Sequence, residues 1–210
     1  GLPLAELWGM SETCGAGCCN RPDHIKIGTV GPPAPGVEIK LGEDGELLMR
    51  SGVVMPGYRN APDKTREALD DDGWLHTGDI AEIDEDGFLT ITDRKKDIIV
   101  TAGGKNVAPQ NLENELKAHK VISQALVVGD RKPYIAALVT LDEEVTRGMS
   151  AEAAQSAVQQ AVDAVNADRS RYEQIKRFTI VPREFSAEHD EVTPTLKLKR
   201  NVIISHFADE

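Results

Sequence analysis

The sequence has no apolar run approaching the ~20 residues needed to span a bilayer. Its start lacks a basic stretch followed by an apolar core, so no secretory leader is read there. Positive charge is scarce: 24 Lys and Arg against 35 Asp and Glu give a formal net charge of −11. That balance argues against nucleic acid, which rewards dense cationic patches. Cysteine is confined to Cys14, Cys18 and Cys19 in "CGAGCCN", with His24 shortly after. The C-x3-C-C spacing fits a zinc site poorly, and an odd number of thiols without a framework points to a reducing, cytoplasmic setting. There is no repeat, low-complexity tract or coiled coil, and no initiator Met. "GLPLAELWGMSET" enters mid-pattern, which is read as a piece cut from a longer chain.

What is present is an ordinary globular composition, 40% hydrophobic and 28% charged over 210 residues. That length suits one large domain or two small ones. The first half reads as β structure. "VEIKL" and "ELLMR" flank Glu43-Asp44-Gly45, and "IAEI" and "FLTI" flank Glu85-Asp86-Gly87. Asp-Gly between alternating apolar runs predicts a hairpin, because Gly accepts the positive φ that the turn demands. "DDDGWL" predicts a third turn, and "SGVVMPGYRNAPDKT" reads as an ordered loop.

The texture changes at "DRKKDIIV". A strand, "IIV", precedes the turn "TAGG", and Pro109 opens a predicted helix "PQNLENELKAH". "SQALVVG" and "YIAALVTL" predict neighbouring strands. Ser150 is placed to cap a helix reaching about Ala167, with Val158, Ala161, Val162 and Val165 on one face. "FTIVP" predicts a further strand. The expected fold class is α+β, with a β-rich part over 1–92, a connecting segment over 93–97 and a small mixed α/β domain over 98–210.

"GGKN" at 103 to 106 invites a phosphate-loop reading, but Ile99 stands where a Walker loop needs its first Gly and Asn106 where it needs Ser or Thr. A glycine turn after a strand is preferred. "TPTLKLKR" gathers Lys197, Lys199 and Arg200 against the acidic background. On its own it reads as a solvated strand face or a helix start.

Taken together and in order, "WGMSET", "GELLMRSGVVMPGY", "WLHTGDIAEIDEDGFLTITDRKKDIIVTAGGKNVAP" and "TPTLKLKR" resemble the later motifs of the adenylate-forming enzymes. That superfamily holds acyl-CoA synthetases, luciferases and peptide-synthetase adenylation domains. "GDRKPYIAALVTLD" looks like the bacterial long-chain fatty-acid–CoA ligases. The resemblance covers nearly the whole chain. It implies the β-rich end of a large adenylating domain, then a mobile lid, with the upstream phosphate loop and acyl pocket absent, so that the fragment alone is expected to be inactive.

The resemblance implies a two-step reaction. A carboxylate attacks the α-phosphate of ATP to give acyl-adenylate and pyrophosphate, and the thiol of CoA then displaces AMP. ATP/AMP, Mg2+, CoA and a fatty acid are the implied cofactors and partners. Glu12 matches the magnesium-binding glutamate, a hard oxygen ligand; alone it would be a solvated turn carboxylate. Trp8 stands where an aromatic, usually Tyr, packs beside adenine; alone it would be core. Ser11 replaces the commoner Thr and keeps the hydroxyl.

Asp79 resembles the ribose-binding aspartate, able to accept from both hydroxyls; alone it would be a turn or cap residue. Arg94 matches the ribose-binding arginine, although Asp93 stands where many members have Gly. Its bland reading is an ion pair with the acidic 82–86 segment. Lys96 aligns with the hinge about which the lid swings between half-reactions. Gly103 and Gly104 match the loop that lines the pantetheine path. Lys197 matches the catalytic lysine at the α-phosphate, with Leu196 where the usual form has Gly.

Two rivals stand beside this reading. One is an acyl-AMP ligase that passes its product to a carrier protein. The other is a non-catalytic interaction module reusing the lid fold. Peripheral association with a membrane is compatible with the implied substrate. Acyl chain length and oligomeric state are not legible.

Overall fold

In the computed structural model, which describes residues 4–208, the chain divides between Lys96 and Asp97 into two units. The first opens with a hairpin of β1 (Leu7–Met10) and β2 (Gly15–Cys19), joined through a 3-10 turn at Ser11–Thr13. The Thr13 hydroxyl donates to the carbonyl of Gly15 at 2.7 Å and is reached by the Met10 N–H at 3.1 Å, so a side chain closes the turn. The three cysteines are therefore strand and turn residues. The Cys18 thiol is buried and pushed up to about 12, by burial first and by the neighbouring Cys19 second. A protonated thiol is a poor metal ligand.

A four-stranded antiparallel sheet follows, in the order β3 (Val37–Leu41), β4 (Glu46–Ser51), β5 (Leu75–Ile83) and β6 (Leu89–Arg94). Its first and last links are the two Asp-Gly hairpins. The Asp70–Trp74 turn is also present, closed by the Asp70 N–H on the Trp74 carbonyl at 3.0 Å. Residues 51–65 are not wholly a loop: α1 (Pro62–Ala68) starts inside them, with Pro62 in its first turn. None of its residues is buried, so it carries no apolar periodicity to read.

Along β5, Leu75, Thr77, Asp79 and Ala81 are buried while their neighbours are not. Strand alternation thus turns Asp79 toward the covered side, in line with Leu75 and Ala81. Trp8, Cys18, Leu47, Met49, Ala81 and Leu89 form that core.

The second unit begins with a two-stranded ladder, β7 (Ile99–Val100) with β8 (Asn106–Val107). Next come α2 (Pro109–Lys117), β9 (Ile122–Val128), β10 (Ile135–Leu141), the short α3 (Glu143–Thr146), α4 (Ala151–Asn166), β11 (Ile175–Ile180) and α5 (Arg200–His206). The sheet order is β11-β10-β9; β10 runs antiparallel to β9 and parallel to β11. A parallel neighbour needs a crossover, which α4 supplies. The Ser150 hydroxyl accepts the Ala153 N–H at 3.2 Å, and Val158, Ala161, Val162 and Val165 are buried as the spacing predicts. They pack with Leu112, Leu116, Val127 and Val139 on one side of the sheet. Leu126, Leu138, Phe185, Val192 and Ile203 form a second cluster. The fold is mixed α/β and sheet-rich, in agreement with the α+β expectation.

Candidate functional site

In the first unit, Trp8, Asp79 and Arg94 meet. Asp79 faces Arg94 across the β5–β6 ladder. Arg94 Nε lies 2.8 Å from Asp79 Oδ1, and the Trp8 indole N–H donates to Asp79 Oδ2 at 2.8 Å. The Asp79 side chain is 6% exposed while that of Arg94 is 45% exposed. A buried carboxylate is costly unless paired and hydrogen-bonded, and here both oxygens have a donor. Arg94 does not pair with the 82–86 segment; Asp84 and Asp86 are taken by Lys26 instead.

Trp8 lies in the core. The hydrogen position of Gly17 faces the indole, where a Cβ would come within 2.6 Å of a ring carbon. The ring thus orients the Asp79 carboxylate and exposes only 8% of its surface. Gly78, at φ +71°, precedes Asp79 and donates its N–H to Glu46 Oε1 at 2.9 Å. A positive φ there is what glycine tolerates.

Glu12 sits in the 3-10 turn, half-buried. Its Oε1 accepts the Tyr58 hydroxyl at 2.7 Å, and its carbonyl accepts the Met55 N–H at 2.7 Å. The carboxylate beside it holds the Tyr58 phenol above its ordinary range, with burial adding to the effect. Among the described residues no cluster of three or more His, Cys, Asp or Glu is arranged to hold a metal. One carboxylate with an uncommitted oxygen nevertheless fits Mg2+, which is held by one or two carboxylates with phosphates and water. Ser11, beside it, is exposed.

β6 runs on through Asp93 and Arg94, and Lys95–Asp97 form a 3-10 turn. Lys96 is exposed in it.

In the second unit, Gly103 and Gly104 form the exposed turn between β7 and β8, closed by the Gly104 N–H on the Thr101 carbonyl at 2.8 Å. Gly103 borders a groove lined also by Lys105, Arg171, Lys176, Tyr134 and Tyr172. Sequence reading missed these partners, because about 70 positions separate Lys105 from Lys176 and no motif spans them.

"TPTLKLKR" is a turn at Pro194–Thr195, a short extended stretch in which Leu198 bridges Val192, and a helix start at Arg200. The Thr193 N–H donates to the Lys197 carbonyl at 2.8 Å, and the Thr193 hydroxyl accepts the Lys197 N–H at 3.0 Å. Leu196 is in the left-handed region at φ +61° and 81% exposed. Lys199 precedes α5 and its ammonium pairs with Asp190. Arg200 is anchored on Glu113 Oε1 at 2.9 Å and on the Val127 carbonyl at 2.8 Å. Lys197 is exposed, and its ammonium makes no ion pair among the described residues.

Beneath this loop lies Glu191, whose side chain is fully buried. Arg183 grips both its oxygens, at 2.6 and 2.8 Å, His206 Nδ1 is 2.9 Å from Oε1, and the Ser186 N–H reaches Oε2 at 3.2 Å. The Arg183 hydrogen bonds, opposed by burial and helped by His206 and Ser186, pull its carboxyl down to about 2. The Glu191 carbonyl accepts the Lys199 N–H at 2.7 Å, tying the loop to this pair.

Comparison with known proteins bears on what these sites serve. Residues 96–210 match the model of the AMP-binding enzyme C-terminal domain, and residues 1–59 match that of the AMP-binding enzyme. The whole chain is 46% identical to the long-chain-fatty-acid–CoA ligase FadD15 of Mycobacterium bovis and spans 38% of that protein's length. The solved O-succinylbenzoate CoA synthetase of Bacillus subtilis with its acyl-adenylate intermediate superposes on 95% of this chain and 40% of its own. Its TM-score is 0.78 at 27% identity. The same enzyme with ATP and magnesium ion gives 0.72 at 26% identity, over 95% of this chain and 41% of that one.

Proposed function

The chain belongs to the AMP-binding enzymes, and on that footing we propose that the whole protein is a long-chain fatty-acid–CoA ligase. A fatty-acid carboxylate oxygen bonds to the α-phosphorus of ATP as the bond to pyrophosphate breaks. The CoA sulfur then bonds to the acyl carbon, and AMP leaves.

The observation that carries this reading is the Asp79–Arg94 pair, with Trp8 as third member. Its carboxylate is held rigidly yet keeps lone pairs for two ribose hydroxyls, and Arg94 keeps its half-exposed guanidinium terminus for the same ligand. Glu12 would hold Mg2+, whose chemistry is to neutralise charge on the phosphate oxygens. The Tyr58 hydroxyl fixes the orientation of that carboxylate. Lys197 would stabilise the charge that develops on the α-phosphate; the lack of an ion pair at its ammonium among the described residues supports the role. Gly103 and the cationic groove beside it suit a thiol ligand that carries phosphates at its other end. Lys96 would serve as hinge between the parts bearing Asp79 and Lys197, over a linking segment 93–97. Among the described residues no helix is long and apolar enough to cross a membrane.

The test uses the full-length protein with ATP, Mg2+ and palmitate. Fatty-acid-dependent pyrophosphate release, followed by thioester when CoA is added, is expected. Release of pyrophosphate with transfer only to a phosphopantetheinyl carrier protein would favour an acyl-AMP ligase. No release at all would sink the proposal. The 210-residue chain alone is expected to yield no thioester above background.

A further inference from the structure

Lys95 lies between the Arg94 assigned to the ribose and the Lys96 assigned to the hinge, and neither assignment uses it. Its ammonium is 2.9 Å from Glu46 Oε2 and 2.7 Å from Asp44 Oδ2. The Glu46 side chain is only 7% exposed. A glutamate this deeply buried on an inner strand needs donors, and Glu46 has three. Besides Lys95, its Oε2 faces His76 Nδ1 at 3.2 Å, and its Oε1 accepts the Gly78 N–H at 2.9 Å. These contacts hold its carboxyl below the ordinary range even though burial alone would raise it.

The contacts close a ring. Gly78 is peptide-bonded to Asp79, Asp79 is bonded to Arg94 at 2.8 Å, Arg94 is peptide-bonded to Lys95, and Lys95 returns through Glu46 to Gly78. Two successive cations at the end of β6 thus grip two buried carboxylates of the same sheet. The backbone torsions between Arg94 and Lys95 are fixed at both side chains. Lys96, the next residue, makes no side-chain hydrogen bond or ion pair among the described residues.

We propose that Lys95 is a positioning residue: its bond to Glu46 fixes where the hinge begins and couples that point to the Gly78–Asp79 stretch of β5. This deepens the nucleotide-site and hinge assignments of the proposed function and rests on them. Interdomain motions are absorbed by a few torsions, and a clamped residue cannot contribute its own. With Lys95 held, rotation starts at Lys96, and Arg94 stays aimed at Asp79 whatever the following residues do. Released, the chain can pivot earlier and carry Arg94 off its partner.

The experiment uses the full-length ligase carrying Lys95→Met or Lys95→Arg, with Arg94→Ala as a reference. Lys95→Met is expected to raise the KM for ATP in acyl-adenylate formation roughly threefold to tenfold, the scale of one partly buried charged contact. Capture of supplied acyl-adenylate by CoA should change less than twofold. Trypsin should cut after Arg94 several times faster than in the parent, although one tryptic site has been removed. Lys95→Arg keeps a cation for both carboxylates and should restore both readouts. Parent-like KM and cleavage in Lys95→Met, or equal losses in both half-reactions that Lys95→Arg does not rescue, would overturn the proposal. If Arg94→Ala also leaves the KM for ATP unchanged, the nucleotide-site reading itself has failed; if it raises the KM while Lys95→Met does not, only the role of Lys95 is lost.

Discussion

Arg94 stands opposite Asp79 on the neighbouring strand, and its Nε bonds a carboxylate that is almost completely buried. The ladder register, not the chain's local charge pattern, makes this pair. Removing Arg94 leaves Asp79 with the Trp8 N–H as its remaining side-chain donor among the described residues. A hydrogen bond to a charged group contributes about 1.5–3 kcal/mol. Arg94→Ala in the full-length protein is therefore expected to lower kcat/KM for ATP roughly ten- to a hundredfold. Steady-state pyrophosphate release at varied ATP measures it, and a parent-like value would remove Arg94 from the nucleotide site.

Leu196 carries a side chain where the backbone favours none. Its φ of +61° costs a β-carbon-bearing residue about 1–2 kcal/mol, and its exposure means that no packing offsets this. Glycine would relieve that strain but loses more chain entropy on folding, about 0.5–1 kcal/mol. Leu196→Gly should therefore stabilise the second unit by up to about 1 kcal/mol, read as a higher thermal midpoint, while Leu196→Ala should give no gain. A lower midpoint for the glycine variant would show that the turn is not strained.

The hairpins at Asp44-Gly45 and Asp86-Gly87 were legible because glycine in a short polar turn leaves one reading. The α4 helix was legible because Ser150 marks its start and four apolar residues mark its face. The β1–β2 hairpin was not legible, since its turn rests on the Thr13 hydroxyl and on Cys14 at φ +53°, neither of which is a turn signature. α5 was legible only as the helix start that "TPTLKLKR" offered beside a strand face, because Lys199 precedes it without a side-chain cap. Motifs named Asp79, Arg94 and Trp8 one at a time. Their meeting depends on a register between strands that no local pattern encodes, and the nearby acidic 82–86 segment offered a false partner for Arg94. The ring through Glu46 and Lys95 was hidden for the same reason, with Glu46 standing 30 to 49 positions from its partners His76, Gly78 and Lys95.

Glu191 should make the second unit acid-sensitive. Its carboxyl sits at about 2 in the folded chain against an ordinary value of 4.5. A lowered folded value contributes stability that is fully present above 4.5 and is lost as pH falls toward 2. The side chain is buried, so the contribution is on the order of 3 kcal/mol. Urea unfolding of the second unit at stepped pH should show stability falling across that window. Glu191→Gln should be less stable near neutral pH and flatter across the window. An equally steep fall in the variant would assign the acid sensitivity to other carboxylates.

The last prediction separates two lysines that sequence alternation could not. The chain is extended at Leu198, which bridges Val192, and alternation along an extended chain does not choose between the residues on either side of it. Pairing, not direction, divides them: Lys199 is paired with Asp190 at the entry to α5, whereas Lys197, just past the turn, has no ion pair among the described residues. Arg200, three residues beyond Lys197, is locked onto Glu113 and the Val127 carbonyl, so the stem is fixed while the Lys197 side chain is free to meet a ligand. Losing one contact of this kind to a developing charge costs about 10²–10³-fold in rate. In the full-length protein, Lys197→Ala should reduce acyl-adenylate formation by that factor and leave CoA capture of supplied acyl-adenylate nearly unchanged, because the second step is assigned to the Gly103–Gly104 turn. Lys199→Ala should alter neither step more than severalfold, its ion pair being exposed and weak. Both half-reactions measured on both variants decide the matter. Equal losses in the two steps for Lys197→Ala, or a larger adenylation loss for Lys199→Ala, would move the catalytic role away from Lys197.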